Sequence, residues 1–560
     1  MSSPASPFAS HLGTNYCPRD DEELSQIKAL LVEPCQKLKR LDDEIAVLQT
    51  ALDKLIEERD AVSVFVDAHK ALASPFRRLP VDIIEELFLA CLPTHRNCVM
   101  SATEAPVILG RICRSWRRTA FGTPRLWARL HVVEPARSYS ASVRLYEAKV
   151  AQRLEVATAW LGRSGTCPLS ISLESNLDHG ITPPLTPPHF SPSPDLFLKA
   201  LVSFVARWQD VRLMIPPAAL ERLSGLTEHD VPLLRSLKLV QRPEHPHSET
   251  QLTLAPFAIL RGPNISRFSL LGGNRNPLDL PLRWDQLTAL SLMGPSWSVG
   301  HPQTCPVVLE ILARCPKLQT CKLLVHGPPE GETLFPVPCP CLRALALVCV
   351  GTPLYTAGVF LSRLVAPVLS EFKLGGLIEH PSVFSAEPLV RAFAPLEHLE
   401  CVSIDTNTFS KPFLKDFLRG LPRTVRRLQV TEPIHMWRPS LAETALDDEV
   451  LAVLDERPVL PEGTTHCPAL EELVIHHCRK VSDEALLRFV LSRAPTLRRV
   501  DVAFDREREV DIMPQLAPFV EAGGKVSVTH ITIPPPQFSP WMGLPDAPLP
   551  PGMPPPPGFY

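Results

Sequence analysis

From Trp208 to Val502 one short pattern keeps returning: an apolar residue, two others, an apolar residue, one other, an apolar residue. It starts as Trp208/Val211/Leu213 and Leu234/Leu237/Leu239. It passes through Leu287/Leu290/Leu292 and Leu342/Leu345/Leu347, and closes as Leu470/Leu473/Ile475 and Leu497/Val500/Val502. Eleven such triplets stand 22 to 31 residues apart, except for one gap of 45 after Val430. One match says little; eleven in near register constrain the fold more than any other feature. The inner apolar–x–apolar unit is a short strand whose alternate residues share a face. Helical stretches such as PVVLEILARCP and VSDEALLRFVLSRAP lie between the units and end at a proline, which stops a helix before the next strand. A single unit cannot bury its apolar side, but stacked neighbours can, so the pattern predicts a solenoid.

The spacing resembles that of leucine-rich repeats, and Cys467–Val502 is the clearest unit. The long gap predicts an insertion with DDEVLAVLDE as its helix. An α/β leucine-rich-repeat-like solenoid is therefore expected over residues 166–530.

Proline supplies 62 of the 560 residues, about twice its usual share of roughly 5%. GITPPLTPPHFSPSPD (Gly180–Asp195) predicts a loop. Residues 531–560 hold twelve prolines and predict a disordered Pro-rich tail. Residues 1–22, rich in Ser and Pro, are expected to be disordered as well.

The net charge of −3, from 57 basic and 60 acidic residues, argues against a dedicated nucleic-acid binder. MSSPASPFAS has neither a basic start nor an apolar core and does not fit a secretory signal. No run of about 18 apolar residues is present to span a membrane. Fifteen cysteines, an odd number without such a signal, point to reduced thiols in the cytosol or nucleus.

Residues 23–73 predict a coiled-coil or amphipathic helix. After Pro34, Leu38, Leu41, Ile45, Leu48, Leu52, Leu55, Val62 and Val66 recur at alternating steps of three and four, with Arg59 at one seam position. That is a 3.5-residue repeat over about four heptads. Two readings stay open: a helix folded back on its own chain, or a seam that pairs with another helix or a second copy.

Next, GRICRSWRRTAFGTPRLWARL (Gly110–Leu130) packs six arginines and two tryptophans into twenty-one residues. Basic residues beside aromatics suit nucleic acid. Yet Ile108, Leu109, Ile112, Cys113 and Trp116 recur at three- and four-residue steps. One helix from about Val107 is predicted, with these residues as core and the arginines on its solvated back. Upstream, Pro80 suits the start of a helix carrying Ile83, Ile84, Leu87, Phe88 and Leu92.

Together these elements resemble the F-box. Leu79-Pro80 opens it, and Ile83, Ile84 and Phe88 follow on the first helix. Ile112, Cys113 and Trp116 match its apolar–Cys–x–x–Trp core; Pro124, Leu126 and Trp127 match Pro-x-Leu-Trp. The wording, with a short coiled coil before it, is similar to a large fungal group of F-box proteins. The loop Pro93–Pro106 is longer than in compact F-boxes, and Asp82 stands where Glu is more usual.

The resemblance implies an α+β multidomain chain: a helical coiled coil, a small all-α F-box over 74–134, a linker helix over 135–165, then the solenoid. It implies docking on the Skp-type adaptor of a cullin–RING ligase through Leu79, Pro80, Ile83, Ile84, Leu87 and Phe88. Leu109, Ile112, Cys113, Trp116, Leu126 and Trp127 would form the F-box core. The function implied is that of a non-catalytic substrate receptor whose solenoid holds a target protein; an F-box scaffold outside any ligase is the alternative. No phosphate-cradling Gly loop, HExxH helix or nucleophile elbow is present. Cys339, Cys341 and Cys349 lack a second ligand pair at zinc spacing, and His476, His477 and Cys478 would alternate across a strand end. No cofactor, metal, nucleic acid or membrane is expected.

Overall fold

The structure is a computed structural model that describes residues 6–135, 143–175, 193–241, 254–272, 276–293, 303–327, 336–377, 386–432, 445–455 and 466–530, apart from positions 15, 19, 74, 255 and 256. The expected Pro-rich tail over 531–560 and most of the Gly180–Asp195 loop lie outside the described residues. The chain falls into two units, 1–87 and 88–560.

In the first unit, helix α1 (Asp21–Ala73) runs 53 residues, straight through Pro34. The Asp20 carboxylate accepts the Glu23 N–H at 2.8 Å, and Asp21, Glu22 and Glu23 fill the first turn. Acidic residues there complement the helix dipole, which explains a start well before the proline. The seam residues Leu38, Leu41, Ile45, Leu48, Leu52, Leu55, Val62 and Val66 are all exposed. After a 3-10 turn at Pro75–Arg78, α2 (Val81–Ala90) begins. Pro80 precedes it and its carbonyl accepts the Ile84 N–H at 3.1 Å.

In the second unit the helix predicted from Val107 is two helices, α3 (Leu109–Ile112) and α4 (Arg114–Gly122). Cys113 between them is extended (φ −154°, ψ 171°), and its Sγ accepts the Trp116 N–H at 3.4 Å. That is the backbone of an N-cap, so Cys113 starts α4 instead of continuing α3. The break corrects the expected core: Ile112 and Cys113 are exposed and Trp116 is half-buried. Leu109, Leu126 and Trp127 of that expected core are buried, as is Ala120. Phe88 is buried too, its ring 4.9 Å from that of Trp116. Arg111, Arg114, Arg117, Arg118 and Arg125 are exposed and Arg129 is half-buried; Arg111 donates to the Ala102 carbonyl at 3.2 Å and Arg117 to the Gly110 carbonyl at 2.7 Å.

A long parallel sheet follows, each strand bonded to the next in chain order. Its strands are β1 (Arg129–Val133), β2 (Leu169–Glu174), β3 (Trp208–Ile215), β4 (Ser236–Gln241), β5 (Arg267–Leu271), β6 (Ala289–Met293) and β7 (Thr320–His326). They continue as β8 (Ala344–Val350), β9 (Glu371–Leu377), β10 (Cys401–Asp405), β11 (Arg427–Thr431), β12 (Glu472–Cys478), β13 (Arg499–Phe504) and β14 (Lys525–His530). The sheet thus begins inside the segment expected to be F-box, before the residue 166 expected from the sequence. The expected linker helix is α5 (Val143–Arg163), which carries the chain from β1 to β2.

Register aligns the repeat in columns. Leu237, Phe268, Leu290, Cys321, Leu345 and Phe372 are direct partners in sequence, as are Leu239, Leu270, Leu292, Leu323, Leu347 and Leu374. All are buried, each apolar side chain contributing about 1.5–3 kcal/mol. A backbone column adds to them. The carbonyls of Arg235, Ser266, Thr288, Gln319, Arg343, Ser370, Glu400, Arg426 and Glu471 each accept two N–H groups from the next repeat, at 2.7–3.1 Å.

The returning segments carry α6 (Ser193–Val202), α7 (Pro217–Leu220), α8 (Cys305–Ala313), α9 (Pro353–Ser362) and α10 (Glu387–Phe393). Then come α11 (Lys411–Arg419), α12 (Asp448–Val453), α13 (Asp483–Arg493) and α14 (Met513–Glu521). Helix α12 falls in the 45-residue gap, where DDEVLAVLDE predicts one. Between β4 and β6, among the described residues, 3-10 turns at Ala258–Arg261, Pro277–Asp279 and Trp284–Gln286 stand where other repeats carry helices. The long loop after α2 caps the open edge of the sheet: the His131 N–H donates to the Cys98 carbonyl at 2.7 Å, and the Arg129 guanidinium to the carbonyls of Pro93 and Arg96 at 2.9 and 2.6 Å. Covering an edge strand blocks further pairing.

Candidate interaction surfaces

Two surfaces present side chains in an order that a partner could read. The first is the start of α2. Ile83 and Leu87 lie one helical turn apart on one stripe and are 45% and 42% exposed. Pro80 is exposed as well, while Leu79 and Ile84 are half-buried. Phe88, at the end of the Ile84 stripe, is 1% exposed. It is a core residue, so of the six expected docking residues it offers no open surface. The structure leaves a short apolar row at a helix start, flanked by Asp82, Glu85 and Glu86.

The second surface is the sheet face opposite the leucine columns. Residues between the two leucines of each repeat line up here: Arg212, Lys238, Ser269, Ser291, Lys322, Ala346, Lys373, Ser403 and Gln429 occupy one row in register. A trough of about 640 Å³ runs along this row. Read along the chain, the sequence does not show it. The signal lay in the middle residue of each L-x-L unit, read down the repeats instead of along the chain.

The residues considered for metal or nucleophile chemistry are placed differently. Burial pushes the Cys339 thiol up to about 11 and those of Cys305 and Cys315 up to about 12, and it raises those of Cys321 and Cys349 well above the usual thiol value. Such thiols stay protonated at neutral pH and are poor nucleophiles and ligands. Cys341 is exposed. His477 has φ +60° at a bulge in β12 and lies 3.2 Å from Asp505, while Cys478 is buried. Among the described residues no group of three or more His, Cys, Asp or Glu is placed to hold a metal ion, and no helix is long and apolar enough to cross a membrane.

The described repeats define a parallel, one-strand-per-repeat solenoid of the leucine-rich-repeat kind. No protein-family model matches the chain, and no curated protein matches it. Solved structures similar to it include a Bacteroides fragilis protein, with 13% identity over 43% of this chain and 66% of that one, at a TM-score of 0.28. The complex of Rad7 and Elc1 in yeast gives 12% identity over 71% of this chain and 92% of the other, at 0.33. The leucine-rich repeat-containing protein LegL7 from Legionella pneumophila gives 15% over 51% and 88%, at 0.26.

Proposed function

We propose that this chain is the substrate-receptor subunit of a cullin–RING ubiquitin ligase. The Leu79–Leu87 row docks on a Skp-type adaptor, and the solenoid holds a target protein. The observation that carries this reading is the pair of surfaces: an apolar row open at a helix start, and a long sheet face open along its length. Leu79, Pro80, Ile83, Ile84 and Leu87 make the adaptor contact. The chain itself performs no catalysis. It raises the effective concentration of target near a ubiquitin-charged enzyme carried by other subunits. The exposed seam of α1 pairs with a second helix, from another copy or another protein. The site of action is cytoplasmic or nuclear.

The test is copurification with the adaptor. Leu79→Ala/Pro80→Ala should lose the adaptor while the circular dichroism spectrum stays close to that of the native chain, because buried apolar anchors contribute roughly 2 kcal/mol or more each. Undiminished adaptor binding by the double variant refutes the ligase reading.

A further inference from the structure

The two ends of the sheet are finished differently. At the β1 end the layer is shut: Leu130 and Val132 are buried, and the loop after α2 bonds to the strand. At the other end, among the described residues, β14 pairs with β13 alone. Val526 and Val528 stand in register with Val500 and Val502. The inner pair is fully buried, whereas Val526 and Val528 are only half-buried, because no repeat lies beyond them. Val510, and Met513 and Val520 of α14, are exposed in the same last repeat.

The backbone of β14 is as open as its apolar side. The Lys525 N–H donates to the Arg498 carbonyl at 2.8 Å. Strand geometry alternates, so Lys525, Ser527 and Thr529 turn their N–H and C=O groups to β13. Val526, Val528 and His530 turn theirs outward, and no described residue bonds them. The strand is held firmly at its far end: the His530 Nε2 lies 2.9 Å from Asp483, and its ring stacks on Phe504 at 4.8 Å. Edge strands are commonly blocked by charge, proline or a bulge. Of these devices β14 has only Lys525, at its start.

The residues that follow are poorly suited to cover this edge. Twelve of residues 531–560 are proline, beginning at Pro534, and the longest stretch between two prolines is residues 541–544. Proline has no N–H to give to a ladder. We infer that the occupant is a second copy of this chain, joined β14 to β14 about a two-fold axis through Val528. The strands then run antiparallel, with Val528 opposite Val528 of the other copy and Val526 opposite His530. Each outward N–H meets an outward C=O, and none is left over. Ser527 stands opposite Thr529 on the open face, hydroxyl to hydroxyl, and no like charges oppose each other. Both apolar sides fall on one side of the joined sheet, so the unfinished layers of the two copies close on each other. Because the β1 edge is already covered, assembly stops at two copies and does not grow into a fibre. The dimer owes nothing to adaptor docking and stands or falls apart from it.

Sedimentation velocity of the full chain over a wide range of concentration tests this. Leu48→Lys serves as the background, so that pairing through α1 does not contribute and any mass above one chain belongs to β14. A dimer is expected. Val528→Pro removes an outward donor and keeps every bond to β13, so it should weaken the dimer at least tenfold and leave the melting temperature within a few degrees. Two measurements do not depend on that variant folding. Ser527 and Thr529 of opposed copies would have Cα atoms about 4.5 Å apart, within disulfide reach. Ser527→Cys/Thr529→Cys should therefore cross-link two chains under mild oxidation, well beyond the native chain treated alike. Amide exchange over residues 524–530 should slow as concentration rises. A chain that stays monomeric overturns the inference, as does a folded Val528→Pro variant that still pairs. So do β14 amides equally protected at every dilution, which would place the chain's own tail on the edge.

Discussion

Trp127 and Trp208 make the same hydrogen bond: each donates its indole N–H to the carbonyl seven residues back, Ala120 at 2.8 Å and Leu201 at 3.2 Å. Both rings are buried where a helix or helical turn hands over to a strand. Trp160 packs edge-on to Trp127 at 4.8 Å, and Arg163 lies 5.0 Å over its ring. Trp127 therefore holds the first strand of the solenoid to the helices before it.

Trp127→Ala should cost about 3–5 kcal/mol, the usual penalty for emptying a buried aromatic site. Trp116→Ala, at a half-buried position, should cost clearly less. Chemical denaturation of both variants compares them, and a larger loss at Trp116 contradicts this assignment of the core.

Glu432 is a buried carboxyl with one oxygen unpartnered. Burial pushes its pKa up to about 7, against the pull of Arg479. Unfolded, the same group titrates near roughly 4.3. Between these values the folded state holds the extra proton, so stability should fall as pH rises from about 4 to about 7. Glu432→Gln should remove that fall and be the more stable form at pH 8 by on the order of 1–3 kcal/mol. Urea midpoints at pH 5 and pH 8 give the comparison.

Asp483 has the opposite sign. Burial would raise its pKa, but bonds from Arg506 (3.1 and 3.3 Å), His530 (2.9 Å) and the amides of Val510 and Glu509 bring it well below the carboxylate range. Its contribution is present above about pH 4 and lost as pH falls through the folded value. Asp483→Ala leaves Arg506 without its buried partner and should cost about 3–5 kcal/mol. Hydrogen exchange over β13, β14 and α14 should rise first.

Gly358 sits where α9 and α10 touch. A Cβ there would lie 2.5 Å from the Pro388 carbonyl carbon and 2.6 Å from the Leu389 nitrogen. Backbone cannot swing aside as a side chain can, so Gly358→Ala should destabilise by about 1–3 kcal/mol despite the better helix propensity of alanine. An unchanged melting temperature contradicts this close packing.

The seam of α1 offers a further test. In a parallel pair of copies, Lys37 of one would face Asp42 of the other, while Arg59 would interrupt the apolar layers. Leu48→Lys should lower the mass measured by light scattering at micromolar concentration if the native chain self-associates. A native chain that stays monomeric assigns the seam to a different protein.

The eleven triplets were legible because stacked repeats must bury the same positions each time, and the register of β3 to β13 follows them. The first repeat was legible in principle as well: Trp127/Leu130/Val132 has the same spacing as Trp208/Val211/Leu213. Trp127 also fits the Pro-x-Leu-Trp wording, so one residue serves both patterns and the repeat is masked. The break at Cys113 could not be read from periodicity. Three- and four-residue steps continue across it, and only the extended backbone at the cap turns Ile112 outward. For the six residues expected to dock, the pattern shows an apolar row but not which stripe faces inward; packing against Trp116 decides that for Phe88.

The column of doubly accepting carbonyls has one more consequence. It ties each repeat to the next through main chain alone, so no side chain of the central row is needed to keep the sheet in register. Inheritance can therefore edit that row one residue at a time while the leucine columns stay fixed. Two descendants of one ancestral solenoid could come to share every buried position and no surface letter, and a search by sequence would then find the scaffold while losing sight of what each of them recognises.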